Sequence, residues 1–148
     1  MRGKTQAINF FLDFCYFVVK QSRAALFAGS FFALLLVSSY LADKMGIYRY
    51  DLLFVGAVLI QVVLVLLRLE SKDEAKLIFL FHIIGVVLEI YKTSDMVGSW
   101  SYPEEGYLKL FNVPIYSGFM YAAVGSYIAH AWKVFQLRLV FEIGRAHV

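Results

Sequence analysis

The stretch AALFAGSFFALLLVSSYLA, Ala24 to Ala42, runs without a single Asp, Glu, Lys or Arg. A helix of that length, rising about 1.5 Å per residue, reaches across the roughly 30 Å hydrocarbon layer of a bilayer. Inside lipid every backbone N–H and C=O must be satisfied within the protein, which restricts such a chain to helices or a closed barrel. The run is helical in length and lacks the alternation of a barrel strand. No small-residue cleavage pattern follows it, so it reads as a retained helix and not a secretion signal. Composition agrees, with 61% hydrophobic and 18% aromatic residues and a mean hydropathy of +0.69, outside the balance of a soluble domain.

Three further segments complete the pattern. Leu52 to Leu67 is a shorter charge-free run, and Tyr50 and Arg68 at its ends extend its effective length by reaching the interfaces. Leu77 to Tyr91 has spanning length once His82 and Glu89 are admitted to the membrane. Leu110 to Trp132 again lacks Asp, Glu, Lys and Arg and ends in an interfacial Trp. Ahead of all four, Ile8 to Lys20 is apolar almost all round except for Asp13 and reads as an interfacial or half-inserted helix. The expected fold class is all-α, a polytopic transmembrane helix bundle with about four spans plus an N-terminal interfacial helix. Residues 1–141 are expected to form a single membrane domain.

Charge sets the orientation. Outside the last seven residues, the N-terminal segment, the second loop and the C-terminal end hold nine Lys and Arg, and the first and third loops hold four. Cytoplasmic loops are enriched in these residues, so the N terminus is expected inside and loop 92–109 outside a bacterial inner membrane. The formal charge of +3 is scattered around apolar runs and not gathered on a polar face, which argues against a nucleic-acid partner and for the lipid bilayer. Cys15 is the only cysteine, so no internal disulfide and no cysteine metal cage can form. The two His of the apolar segments and the carboxylates show no HxxxH, HxxE or ExxH spacing, and neither a metal nor another cofactor is expected. Nothing in the residues sets an oligomeric state.

The chemistry-bearing residues concentrate in the second half. His82, Gly85 and Glu89 fall at i, i+3 and i+7, along one stripe of a helix. An ionised carboxylate in the apolar layer costs several kcal/mol unless it is protonated, paired or placed on a polar cavity, which makes Glu89 a candidate acid or proton carrier. The plainer alternative is an interfacial pair of Glu89 with Lys92. In the last apolar segment Tyr116, Met120, Ala123, Tyr127 and His130 form one stripe, and Gly118, Ala122, Gly125 and Ala129 a small-residue stripe that lets another helix approach closely. Between them lies VGSWSYPEEGY, Val97 to Tyr107, in which Trp100, Tyr102 and Tyr107 suit the membrane interface. Pro103 stops any preceding helix, and Glu104 and Glu105 suit the first turn of a short new one. The sharper reading makes Glu89, His82, Glu104 and Glu105 a catalytic set. In it Glu89 is hydrogen-bonded to His82, and Trp100, Tyr102, Tyr116, Tyr127 and His130 line a polar cavity around an apolar small molecule.

Phe81 to Trp132, in particular GSWSYPE and VPIYSGFMYAAVGSYI, resembles the signature region of the bacterial integral-membrane family known as domain of unknown function 817. The part from Asn9 to Phe54 fits the same resemblance. It implies a longer chain with further membrane helices and brings no activity with it. More distantly, the order His82, Gly85, Glu89, Gly98 to Tyr102, then Val113-Pro114 is similar to that of carotenoid biosynthesis membrane proteins that hydrate isoprenoid end groups, from which Ser99-Trp100-Ser101 departs. That similarity implies protonation of a carbon–carbon double bond followed by addition of water. The expected function is therefore an intramembrane enzyme of hydratase-like acid–base chemistry on an apolar lipid or isoprenoid, and its rival is a proton-coupled transporter or a non-enzymatic membrane scaffold. The terminal EIGRAHV, Glu142 to Val148, matches the translation of a common sequencing adapter and is expected to be non-native.

Overall fold

The computed structural model describes residues 2–135, and the element order is α1 Arg2–Ala24, α2 Leu26–Met45, α3 Arg49–Leu66, α4 Lys72–Thr93, β1 Lys109–Leu110, β2 Val113–Pro114 and α5 Ser117–Phe135. Arg138 and the Glu142–Val148 tail lie outside the described residues. By length and composition α2 and α3 are apolar enough to cross a membrane, with hydropathies of 1.6 and 2.0. Much of their side-chain surface is apolar and exposed, as at Leu36, Tyr40, Leu59 and Leu66.

Local chemistry places the helix ends. The chain leaves α2 through Gly46, whose φ of 65° is the left-handed conformation that a residue without Cβ adopts freely, and its N–H reaches the Ala42 carbonyl. Ser71 and Glu74 start α4 as a reciprocal capping box: the Glu74 N–H donates to Ser71 Oγ and the Ser71 N–H donates to Glu74 Oε2, at 3.3 and 2.7 Å. The N-terminal helix is longer than Ile8 to Lys20. It continues to Ala24 and breaks from α2 at Ala25, and its Phe10, Phe11, Tyr16 and Val19 are all exposed.

The last helix starts later than the apolar run does. Leu110–Ile115 does not join α5, because Lys109–Leu110 and Val113–Pro114 pair antiparallel across a two-residue turn in which Phe111 and Asn112 both have positive φ. That is the backbone a tight hairpin demands, and Asn tolerates it better than Phe does. No helix follows Pro103 either. Asp51, in the first turn of α3, accepts hydrogen bonds from the Tyr107 and Leu108 N–H groups at 3.0 and 2.8 Å and holds this stretch irregular.

The helices meet through small residues. α4 and α5 form the closest pair: a Cβ at Gly118 would strike the His82 carbonyl, one at Gly125 the Phe81 ring, and one at Gly85 the Tyr121 side chain at 2.8 Å. The small-residue stripe of α5 therefore faces α4. Phe27, Phe31, Leu53, Ala57, Phe119 and Ala122 fill the centre where α2, α3 and α5 converge.

Candidate functional site

Glu89, one turn from the end of α4, is 1% exposed, and its carboxylate collects donors from two other parts of the chain. Trp100 Nε1–H and the Tyr102 hydroxyl donate to Oε2 at 3.0 and 2.6 Å. The Tyr121 hydroxyl of α5 donates to Oε1, and Lys92 Nζ donates to that same hydroxyl at 2.7 Å. Lys92 also lies 5.1 Å from the Trp100 ring centroid. A buried carboxylate is tolerated when its lone pairs are filled in this way. Tyr102 takes its position from the loop, where its ring meets Tyr50 edge-on at 6.0 Å and its carbonyl accepts from Lys109 Nζ. Burial, and then its bond to Glu89, push the Tyr102 phenol well above its ordinary value, so it holds its proton and donates.

Glu89 stands at one end of an apolar groove of about 740 Å³ between α4 and α5. Phe81, Ile84, Leu88, Met120, Val124 and Ile128 supply its walls, and Trp100 and Tyr121 close the end near Glu89. Glu89 is the one charged residue of the lining. The cavity is therefore apolar with a single carboxylate, not the polar cavity expected.

Several expected partners lie elsewhere. His82 is buried on the same stripe as Glu89 but forms no hydrogen bond to it: seven residues along a helix separate the two by about 10 Å in height, out of side-chain reach. The His82 ring stacks on Phe119 at 4.0 Å between centroids, and its Nδ1 has no hydrogen-bond partner among the described residues. Glu104 and Glu105 are exposed and do not turn toward Glu89. Glu104 instead pairs with Arg49 at 3.0 Å, whose Nε–H donates to the buried Ser38 hydroxyl. The alternative pair of Glu89 with Lys92 is replaced by the Tyr121 link. Tyr116 is buried against Tyr50 at 5.3 Å and makes no hydrogen bond to Glu89 among the described residues.

Tyr127 and His130 belong to the opposite end of α5, two to three turns from Tyr121. The Tyr127 hydroxyl accepts from Gln21 of α1, and His130 Nε2 lies 3.2 Å from Glu74 Oε1. Lys133 Nζ joins the same oxygen at 3.0 Å. Burial raises the Glu74 carboxyl, but hydrogen bonds from Ser71 and Lys133 outweigh it and bring it down to about 2. Nearby Glu70 is 4% exposed and accepts only the Gln61 amide at 2.6 Å, leaving Oε1 without a partner among the described residues. Burial raises its carboxyl above the ordinary value, against the pull of Gln61. Among the described residues no group of three His, Cys, Asp or Glu could hold a metal ion.

Two participants escaped the sequence reading: Tyr121 and Asp51. A signal for Tyr121 existed in Gly85, which sits one turn before Glu89 and leaves room for an aromatic side chain from a neighbouring helix.

The profile of a family described as "Protein of unknown function (DUF817)" matches residues 13–143. A relative described as "Uncharacterized protein YoaT", from Bacillus subtilis (strain 168), is 46% identical over 125 residues, covering 84% of this chain and 46% of its own. The chain thus spans about half the length of that curated relative. No solved structure matches.

Proposed function

The chain belongs to the DUF817 family of proteins of unknown function, and from that premise we propose that it is an integral membrane protein that performs acid–base chemistry on an apolar lipid or isoprenoid. In this reading α2 to α5 cross a bacterial inner membrane, α1 lies along its cytoplasmic face, and residues 92–109 form an outer loop. The observation that carries the reading is the single buried carboxylate, Glu89, at the head of an otherwise apolar groove. A hydrocarbon chain fits such walls, and its reacting end then rests against Glu89, Trp100 and Tyr121.

The chemistry proposed is hydration. The protonated Glu89 gives its proton to one carbon of a double bond, a water oxygen bonds to the cation at the other carbon, and the surplus proton of that water returns to the Glu89 carboxylate. No oxidant or reductant is needed. Trp100 would form the wall, and Tyr102 and Tyr121 would position the carboxyl. The test is Glu89→Gln in the intact protein, with lipid and pigment profiles compared with wild type and a gene deletion. The variant should reproduce the deletion. A wild-type profile beside an altered deletion profile removes Glu89 from catalysis.

The hydrogen-bonded series Lys92, Tyr121, Glu89 favours a second reading, a proton-coupled transporter in which Glu89 binds the proton. Proton-driven uptake into vesicles, with unchanged lipids in the deletion strain, would select it. If neither uptake nor altered lipid is found, the satisfied carboxylate serves a scaffold.

A further inference from the structure

At the end of the bundle opposite Glu89, α1, the turn after α3, the start of α4 and the end of α5 enclose a cavity of about 890 Å³. Its composition is the reverse of the outer groove. Val19, Val65 and Val134 give it an apolar wall, while Lys20, Arg23, Arg68 and Lys72 surround it with positive charge. None of these four cations pairs with a carboxylate among the described residues, whereas Glu74 is already occupied by His130 and Lys133. Lys20 is braced at 4.4 Å from the Tyr16 ring centroid. Glu70, more than nine-tenths buried in the wall, retains an Oε1 without a partner among the described residues. An excess of cations calls for an anion, and a buried free acceptor calls for a donor on the same ligand.

We propose that this cavity binds a phosphate ester that also carries a hydroxyl or amine, with Lys20, Arg23, Arg68 and Lys72 on the phosphate oxygens and Glu70 Oε1 accepting from the donor. On the orientation proposed above, the cavity lies at the cytoplasmic end of the helices; that place and its apolar wall fit the headgroup of an anionic glycerophospholipid, and a soluble glycerol phosphate offers the same groups. This site is separate from the groove at Glu89 and does not depend on its chemistry.

The test embeds the full chain in nanodiscs of equal phosphatidylglycerol and phosphatidylcholine and measures retained lipid by native mass spectrometry. Wild type should retain phosphatidylglycerol in clear preference. Arg23→Gln and Arg68→Gly should each weaken it by roughly tenfold, the scale of one lost charge-assisted contact. Arg68→Gly removes the guanidinium at a φ of 57° that glycine accepts, so its fold is preserved, and Arg23 is exposed. In a second arm, displacement of the lipid by millimolar glycerol phosphate would identify the soluble compound as the source and support the same chemistry; no displacement would support the lipid. Equal retention of both lipids with no binding of glycerol phosphate, or a preference unchanged in both variants, overturns the proposal.

Discussion

The two ends of this helix bundle each bury a carboxylate, and they solve the problem differently. At the Glu89 end the carboxyl accepts from Trp100, Tyr102 and Tyr121, so the fold itself holds it at the head of the groove. At the other end, among the described residues, Glu70 accepts only from Gln61, and the cations around it have no carboxylate of their own. The first arrangement locks a loop and two helices together. The second leaves charge and hydrogen-bonding capacity unspent, which is the condition of a surface prepared for something outside the chain. A buried acid by itself says little; how it is held depends on whether its own fold fills its lone pairs.

The contrast can be broken most strongly at the helix seam that supports the Glu89 end. Gly118→Val would drive a side chain into the His82 carbonyl, which belongs to the backbone and cannot rotate away. It should cost about 3 kcal/mol, the upper part of the overpacking range, and separate Tyr121 from Glu89. Unfolding in detergent micelles followed by helical circular dichroism would measure it, and a stability within experimental error of wild type would mean that α4 and α5 do not meet here.

Tyr102→Phe acts on the carboxylate directly. Removing one donor to a buried acceptor should cost about 2 kcal/mol and loosen the 92–109 loop. Limited proteolysis should then cut that loop faster while the helices stay protected. Unaltered cleavage would show that Glu89 does not hold the loop.

The smallest effect belongs to Glu70, and its sign is opposite. Its carboxyl is raised in the fold above the ordinary 4.5, so the ionised form weakens the folded state at neutral pH, and that penalty fades as pH falls through the raised value toward 4.5. Glu74 behaves the other way: its contribution is complete above 4.5 and is lost as pH falls toward about 2. Glu70→Gln should therefore leave Tm at pH 7.5 equal to or above wild type, with the gap closing by pH 5. A clear loss of Tm at pH 7.5 would show that ionised Glu70 is favourably held, and the distinction between the two ends would narrow.

The residues alone were enough for an all-helical chain and for the direction in which its acids and small residues look. The charge-free run from Ala24 has the length and composition of a membrane-crossing helix, and the period of 3.6 puts His82, Gly85 and Glu89 on one buried stripe and Gly118, Ala122 and Gly125 on the face that meets α4. Only the tertiary structure decided heights and partners. A stripe gives azimuth but not which residues lie level, so His82 and Glu89 share a face yet stand about two turns apart. Tyr127 and His130 likewise share a helix with Tyr121 and serve the other end. The loop acids could not be placed from local preference either, because Asp51 and Arg49, far back along the chain, fix the backbone after Pro103 and take Glu104 to themselves. Those contacts arise when distant segments are brought together, and local periodicity contains no record of them.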